Sequence, residues 1–181
     1  MSDDFGQQIT DHLPKLRAFA ISLCGNRTLA DDLVQEMVIK AWAARDQFKP
    51  GTNLNAWLHT ILRNSYYSQL RKSKRQVEDP DGTYEASLST KADQDSRIEY
   101  RDLCRALAEL PAEQREAVIL SSAGGFSYEQ VAEISGCAVG TVKSRVNRAR
   151  EALAKMMDRH IELKDPVESV PVSESTGTIP K

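Results

Sequence analysis

Apolar residues recur at intervals of three and four along most of this chain, the spacing of one face of an α-helix. Ile9, Leu13, Leu16, Ala20 and Leu23 make a first stripe, closed by Gly25-Asn26. Leu29, Leu33, Met37, Ala41 and Ala44 make a second. Thr28 is placed to cap that helix, and Asp31 and Asp32 fall in its first turn, where unpaired backbone N–H groups favour negative charge. The second helix is expected to run to about Arg45. Phe48-Lys49-Pro50-Gly51-Thr52 reads as a turn and Asn53 as the cap of a third helix. Leu54, Trp57, Leu58, Ile61 and Leu62 give that helix a dense apolar stripe, and it should continue to about Arg75.

From Gln76 to Asp95 the period disappears, and Glu78-Asp79-Pro80-Asp81-Gly82 is a turn signal. Helical spacing resumes with Ile98, Leu103, Leu107 and Leu110; Pro111 suits a helix start and Gly124-Gly125 a break. Ser127-Tyr128-Glu129-Gln130 is a capping-box pattern opening a short helix with Val131 and Ile134 inside, ended by Gly136. A last helix is expected from about Gly140 to Met157, and the Pro-, Ser- and Glu-rich stretch after His160 is expected to be disordered. No alternating pattern marks a strand. The fold class is therefore all-α. Two small helical domains, 1–76 and 97–160, are joined by a flexible acidic linker, 77–96, and followed by a tail, 161–181.

The chain's 181 residues carry a formal net charge of −2, which argues weakly against a nucleic-acid partner. Divided by segment the charge reads differently: +4 over 1–76, −5 over 77–99, +1 over 100–160 and −2 over 161–181. Basic residues concentrate further, into Arg63 to Arg75 and Gly140 to Lys155. No apolar run approaches the ~20 residues of a membrane helix, and the acidic opening Met1 to Asp4 is unlike a secretory signal. Three separated cysteines, Cys24, Cys104 and Cys137, fit a reducing compartment.

The C-terminal pattern of short helix, Gly turn and longer basic helix is that of a helix-turn-helix. At about 100° per residue, Val142, Val146, Ala149 and Leu153 share one narrow stripe. Thr141, Ser144 and Arg148 lie opposite, with Lys143, Arg145 and Asn147 flanking them. Hydroxyls, amides and guanidinia of this kind read base edges or bind phosphates. Thr141, Ser144 and Arg145, on the early turns, are the better placed for bases. Lys143 and Arg148 suit either role, and a bundle helix with a solvated basic face is the plainer alternative. The basic run after Arg63 adjoins Tyr66-Tyr67, a mixture suited to single-stranded nucleic acid, although two core tyrosines at a helix end explain it equally. The turn from Phe48 to Asn53 can present backbone and amide groups to a flipped base. Asp31, Asp32, Gln35 and Glu36, with Trp42 further along, offer a polar face for a basic partner helix, or simply dipole-favoured acids and a core ring.

Taken together these segments resemble a known family. Asp31-Asp32-Leu33-Val34-Gln35-Glu36, continuing to Ile39-Lys40-Ala41-Trp42, is similar to region 2.2 of bacterial sigma factors. Asn55 to Asn64, followed by Arg71-Lys72, resembles regions 2.3 and 2.4. Leu110-Pro111-Ala112-Glu113-Gln114-Arg115-Glu116 and Gly140-Thr141-Val142-Lys143-Ser144-Arg145 resemble region 4. The order, spacing and lack of a region 3 resemble the extracytoplasmic-function (ECF) sigma factors over about residues 5–160. Phe48 to Leu54, Asn64-Ser65-Tyr66-Tyr67-Ser68 and Cys137-Ala138-Val139-Gly140 further resemble their general-stress-response subgroup.

The resemblance implies a cytoplasmic transcription-initiation factor with no catalytic residues, metal or cofactor. Its implied partners are core RNA polymerase (β′ coiled coil and β flap), promoter DNA and an anti-sigma factor wedged between the domains, with no membrane or small-molecule substrate. Asp31, Asp32, Gln35, Glu36 and Trp42 would bind polymerase. Phe48, Lys49, Thr52, Asn53, Asn64, Tyr66, Tyr67, Arg71 and Lys72 would capture and melt the −10 element. Thr141, Lys143, Ser144, Arg145, Asn147 and Arg148 would read the −35 element as duplex. His12, His59 and His160 are isolated and lack metal-ligand spacing. The rival reading is a sigma mimic that titrates an anti-sigma factor. Such mimics carry a receiver domain for which these residues leave no room, and both basic faces are intact here.

Overall fold

The computed structural model describes residues 2–76 and 94–164, with side chains over 5–73 and 102–157. Most of the expected linker and tail lie outside the described residues. Seven α-helices are present among them and no strand: α1 (Ser2–Cys24), α2 (Arg27–Ala43), α3 (Leu54–Gln76), α4 (Gln94–Glu109), α5 (Ala112–Ser122), α6 (Tyr128–Ser135) and α7 (Val139–Lys164). No described helix is long and apolar enough to cross a membrane.

The first three helices pack on one another through the stripes read from the sequence. Leu16, Ala20 and Leu23 of α1, Leu33, Met37 and Ala41 of α2, and Leu58 and Leu62 of α3 are all fully buried. Burying a leucine completely contributes roughly 1.5–3 kcal/mol, so these side chains hold the three helices together. α1 extends seven residues ahead of Ile9 and runs through Pro14, whose ring lies on the solvent side. The cap of α2 is Asn26, not Thr28: its side chain accepts from the Leu29 N–H at 3.0 Å, so the helix starts one residue before the expected cap. α2 also stops at Ala43, and a 3-10 turn over Arg45–Gln47 carries the chain on. Asn53 caps α3 as expected, accepting from the Ala56 N–H at 3.1 Å.

In the second group, α4, α5 and α6 all pack on α7. Pro111 stands just before the first turn of α5. Ser127 and Gln130 close a reciprocal capping box at the start of α6. Gly136 ends α6 at φ +63°, a left-handed conformation that favours glycine, and this bend sets α7 across α6. A Cβ at Gly124 would meet the Leu120 carbonyl oxygen at 2.6 Å, so only glycine lets the chain leave α5 so closely. Leu103 departs from the expected stripe. It is 40% exposed, while Ala106 and Asp102 are buried instead.

The two groups are not separate in space. α1 packs on α4 and α5, and α3 packs on α6. α5 therefore lies between the groups, and its consecutive residues Glu116 to Leu120 are all buried.

Candidate polymerase and nucleic-acid surfaces

On α7, the core stripe consists of Val142, Val146 and Ala149, with Leu153 half-buried. Lys143, Asn147 and Arg148 are exposed. Thr141, Ser144 and Arg145 are half-buried, more enclosed than the helical wheel places them. Ser144 donates its hydroxyl to the Thr141 carbonyl at 2.9 Å. Arg145 reaches back to the Cys137 sulfur at 3.7 Å, which holds its guanidinium against the turn that precedes α7. The described cations Lys143, Arg148, Arg150 and Lys155 all stand in solvent. The helix thus presents a fixed cationic and amide surface.

The exposed stripe of α2 is narrower and partly apolar. Asp32, Gln35, Ile39 and Trp42 are exposed and follow one another at helical spacing. Ile39 is 69% exposed and Trp42 41%. One side of the Trp42 ring lies 6.1 Å from Phe5, centroid to centroid, and Arg45 sits over it at 5.8 Å. Two expected members of this face are tied down. Asp31 receives the Arg17 guanidinium in a fork, at 2.6 and 2.9 Å, and this hydrogen bonding holds its carboxyl below the ordinary range. Glu36 pairs with Lys40 at 2.6 Å, which likewise lowers its pKa, and also accepts from Gln69 of α3. Lys40 in turn donates to Ser65 of α3 at 2.9 Å, so Glu36 and Lys40 brace α2 against α3.

The turn between α2 and α3 is pinned. Lys49 gives its carbonyl to both the Thr52 hydroxyl, at 2.7 Å, and the Thr52 N–H, at 3.2 Å. Phe48 is half-buried among Phe5 and Trp57, with the Trp57 ring 5.4 Å away. Lys49, Thr52 and Asn53 stay exposed. On α3, Asn64, Arg71 and Lys72 are exposed, but the tyrosines are not free rings. Tyr66 is 5% exposed and packs edge-on against Tyr67, which corrects the expectation that it stacks on an unpaired base: the core already covers it.

Tyr67 belongs to a cluster that the sequence did not reveal. Glu116 of α5 is 1% exposed and receives three donors. Arg63 gives its Nε–H to Oε1 at 2.6 Å, Tyr67 its hydroxyl to Oε2 at 2.6 Å, and Ser135 of α6 its hydroxyl to Oε1 at 2.8 Å. Burial, with the Glu116 charge added, pushes the Tyr67 phenol well above its ordinary pKa, so it remains a donor. Taking a carboxylate and a guanidinium out of water costs several kcal/mol per ion. Three short bonds to charged groups, at roughly 1.5–3 kcal/mol each, offset about that much. The pairing is therefore near balance and works more as a fastening than as a source of stability. Two further contacts cross the same boundary. Arg115 donates to the Leu23 carbonyl at the end of α1 at 2.6 Å and to Ala108 and Leu110 at 2.8 and 3.0 Å. His59 of α3 lies between Phe19 of α1 and Phe126, 4.9 and 5.0 Å away, beside a cleft of about 130 Å³. Its Nδ1–H is directed at the Asn55 carbonyl at 2.8 Å, and burial lowers its pKa to about 4.

The sequence reading missed Ile39, Arg63 and Glu116 as surface or boundary residues. Ile39 was detectable as an apolar residue off its helix's stripe, and Glu116 as an acid set directly before the apolar run Ala117 to Leu120.

A helical domain with an acidic and apolar outer face, joined to a helix-turn-helix with a basic outer face, defines a two-part DNA-binding transcription protein. Comparison with known proteins narrows the class. The model of sigma-70 region 2 matches residues 8–76 and that of sigma-70 region 4 matches residues 100–153. The chain is 52% identical over 157 residues to the ECF RNA polymerase sigma factor EcfG of Rhodopseudomonas palustris, covering 87% of each. It superposes with a TM-score of 0.78 on the sigma factor RpoE of Bartonella quintana, solved in complex with the anti-sigma factor NepR, at 51% identity over 86% of this chain and 97% of that one. CnrH, solved with the cytosolic domain of CnrY, follows at TM-score 0.67 and 27% identity, covering 88% and 90%. The chain belongs to the extracytoplasmic-function sigma factors, and the resemblance read from its motifs is borne out.

Proposed function

We propose that this sigma factor docks on core RNA polymerase through the α2 face of Asp32, Gln35 and Trp42, joined by Ile39. Asp31 and Glu36 are tied into ion pairs and contribute mainly by fixing that face. Thr141, Lys143, Ser144, Arg145, Asn147 and Arg148 of α7 read the −35 element as duplex. Lys49, Thr52 and Asn53 of the turn, with Asn64, Tyr67, Arg71 and Lys72 of α3, capture the melted −10 strand. Phe48 and Tyr66 support those residues from within the core. Residues 1–76 carry polymerase docking and −10 capture, and 97–160 carry −35 reading. Polymerase supplies the chemistry, and the factor has no catalytic step of its own and works in the cytoplasm.

The observation that carries this reading is the solvated cationic face of α7, set on a capped helix-turn-helix and joined in one chain to the α2 face. Control by an anti-sigma factor rests on the complexes of RpoE with NepR and of CnrH with the cytosolic domain of CnrY, both similar to this chain. The test is run-off transcription from a genome-derived promoter set with purified core polymerase, with and without the protein. Promoter-specific transcripts that require the protein are expected. Their absence across the set would sink the reading.

A further inference from the structure

We propose that Arg63 and Tyr67 form a binding site for a backbone phosphate of single-stranded DNA, and that Glu116 occupies it as a built-in substitute while the two domains are packed together. The inference rests on the reading of α3 as a strand-capturing helix and adds to it a residue, Arg63, and a competitor, Glu116.

The geometry is that of an anion site shared by two partners. Two of the three donors to the Glu116 carboxylate, Arg63 Nε–H and Tyr67 O–H, come from α3 at positions i and i+4 on one face. That face continues to the exposed Arg71, one further turn along, and is flanked by the exposed Asn64. A guanidinium beside a hydroxyl suits phosphate oxygens as well as it suits a carboxylate. The α3 half of the site is organised without Glu116. The Arg63 guanidinium lies over the Tyr67 ring at 4.6 Å and donates to the Asn64 side chain at 3.2 Å, all within α3. The other half also survives separation, because Ser135 keeps its 2.8 Å bond to Glu116 within the α5–α7 domain. When the domains part, Arg63 and Tyr67 lose an anion and face solvent in line with Arg71. Glu116 keeps one donor and regains water. A phosphate therefore replaces the carboxylate without leaving either half unsatisfied. Because the exchange is between anions, it depends on salt as phosphate contacts do.

The experiment uses the full chain, a fluorescein-labelled mixed-sequence single-stranded DNA 12-mer read by anisotropy, and X-ray scattering for overall dimensions. Glu116→Gln is expected to expand the chain and raise affinity for the strand about tenfold at low salt. Arg63→Gln is expected to expand the chain without that gain, and to cancel the gain when combined with Glu116→Gln. Equal gains in both single variants would mean that opening alone matters and would overturn the phosphate site. No expansion and no gain in Glu116→Gln would overturn the competition. Should Glu116→Gln not fold, the wild-type chain decides: saturating strand must expand it, inorganic phosphate must compete at millimolar levels, and a chain that binds the strand without expanding refutes the proposal. Run-off transcription by the wild type separates the two readings. Transcription with no effect of these variants removes only the phosphate site, whereas a strand gain without promoter-specific transcription removes the sigma-factor role of α3 and leaves the site.

Discussion

Arg148 on α7 stands in solvent, whereas Arg63 on α3 is covered by a helix 53 residues away in sequence. Both belong to basic runs that look alike on paper. On α7 the core side belongs to Val142, Val146 and Ala149, and Lys143, Arg148, Arg150 and Lys155 are exposed, while Arg145 is half-buried against the Cys137 turn. On α3 the apolar stripe of Leu54, Leu58 and Leu62 seats the helix against α1 and α2, and the face bearing Arg63 and Tyr67 receives α5 and α6. A basic run is thus an offer of charge, and the fold decides which offers remain open. Most of one basic run lies open as it stands, and the other is partly covered by α5.

This contrast is open to direct attack. The largest effect is expected from Leu58→Ala, which empties a fully buried position under α3 and should destabilise the chain by about 2–5 kcal/mol in urea unfolding. If the domains are coupled through α5, both melt in one transition. Two separated transitions in the wild type would break the picture of a fastened boundary. A second handle is His59. Its pKa of about 4 in the packed state, below the ordinary 6.5, means that the packed state holds the neutral ring. Unpacking lets the ring take up a proton, so its contribution is complete above about pH 6.5 and is lost as pH falls toward 4. Roughly 3 kcal/mol should disappear across that window, by the linkage of about 1.4 kcal/mol per pKa unit. Urea midpoints measured from pH 7 to 4 should show the loss, and His59→Gln should flatten the slope.

Smaller effects probe the open surface. Arg145→Ala should weaken binding to a −35 duplex by about 1–3 kcal/mol if its guanidinium reads a base pair. Unchanged affinity in a duplex titration would leave it only its contact with Cys137. Lys143→Ala should weaken all duplexes alike and lower the salt dependence by about one phosphate contact. Asp32→Ala combined with Glu36→Ala should reduce retention on immobilised core polymerase while duplex binding is kept, and full retention would refute the α2 assignment. The smallest change is expected for Asp31→Asn. Its pair with Arg17 is exposed and screened, so the thermal midpoint should not move measurably.

Much of the fold was legible because helices are local. The stripes on α1, α2 and α3, the Asn53 cap, the Ser127–Gln130 capping box and the Gly136 break follow from spacing and end chemistry alone. The local errors were of the same kind. Asn26 won the cap from Thr28, because either side chain can accept from a first-turn N–H and only the backbone path chooses. Leu103 gave way to Asp102 and Ala106 as α4 turned its contact face by part of a turn. Exposure on α2 and α7 was readable in part: Asp32, Gln35, Trp42, Lys143, Asn147 and Arg148 are exposed as the stripes imply, whereas Thr141, Ser144 and Arg145 are half-buried. Tyr66 and Tyr67 were not readable. The same aromatic pair serves a core and a stacking platform, and only tertiary packing distinguishes them: Tyr66 is buried, and Tyr67 bonds Glu116 of α5.

The sequence by itself determined the all-α character, the two helical groups and the polarity of each helix face, because those depend on residues three and four apart. The tertiary structure alone decided that Glu116 meets Arg63 and Tyr67, and that His59 is enclosed by Phe19 and Phe126. Those contacts join helices from separate halves of the chain, and no local period encodes them. Whether a charge is solvated or buried is set by whatever packs over it, and here that is α5.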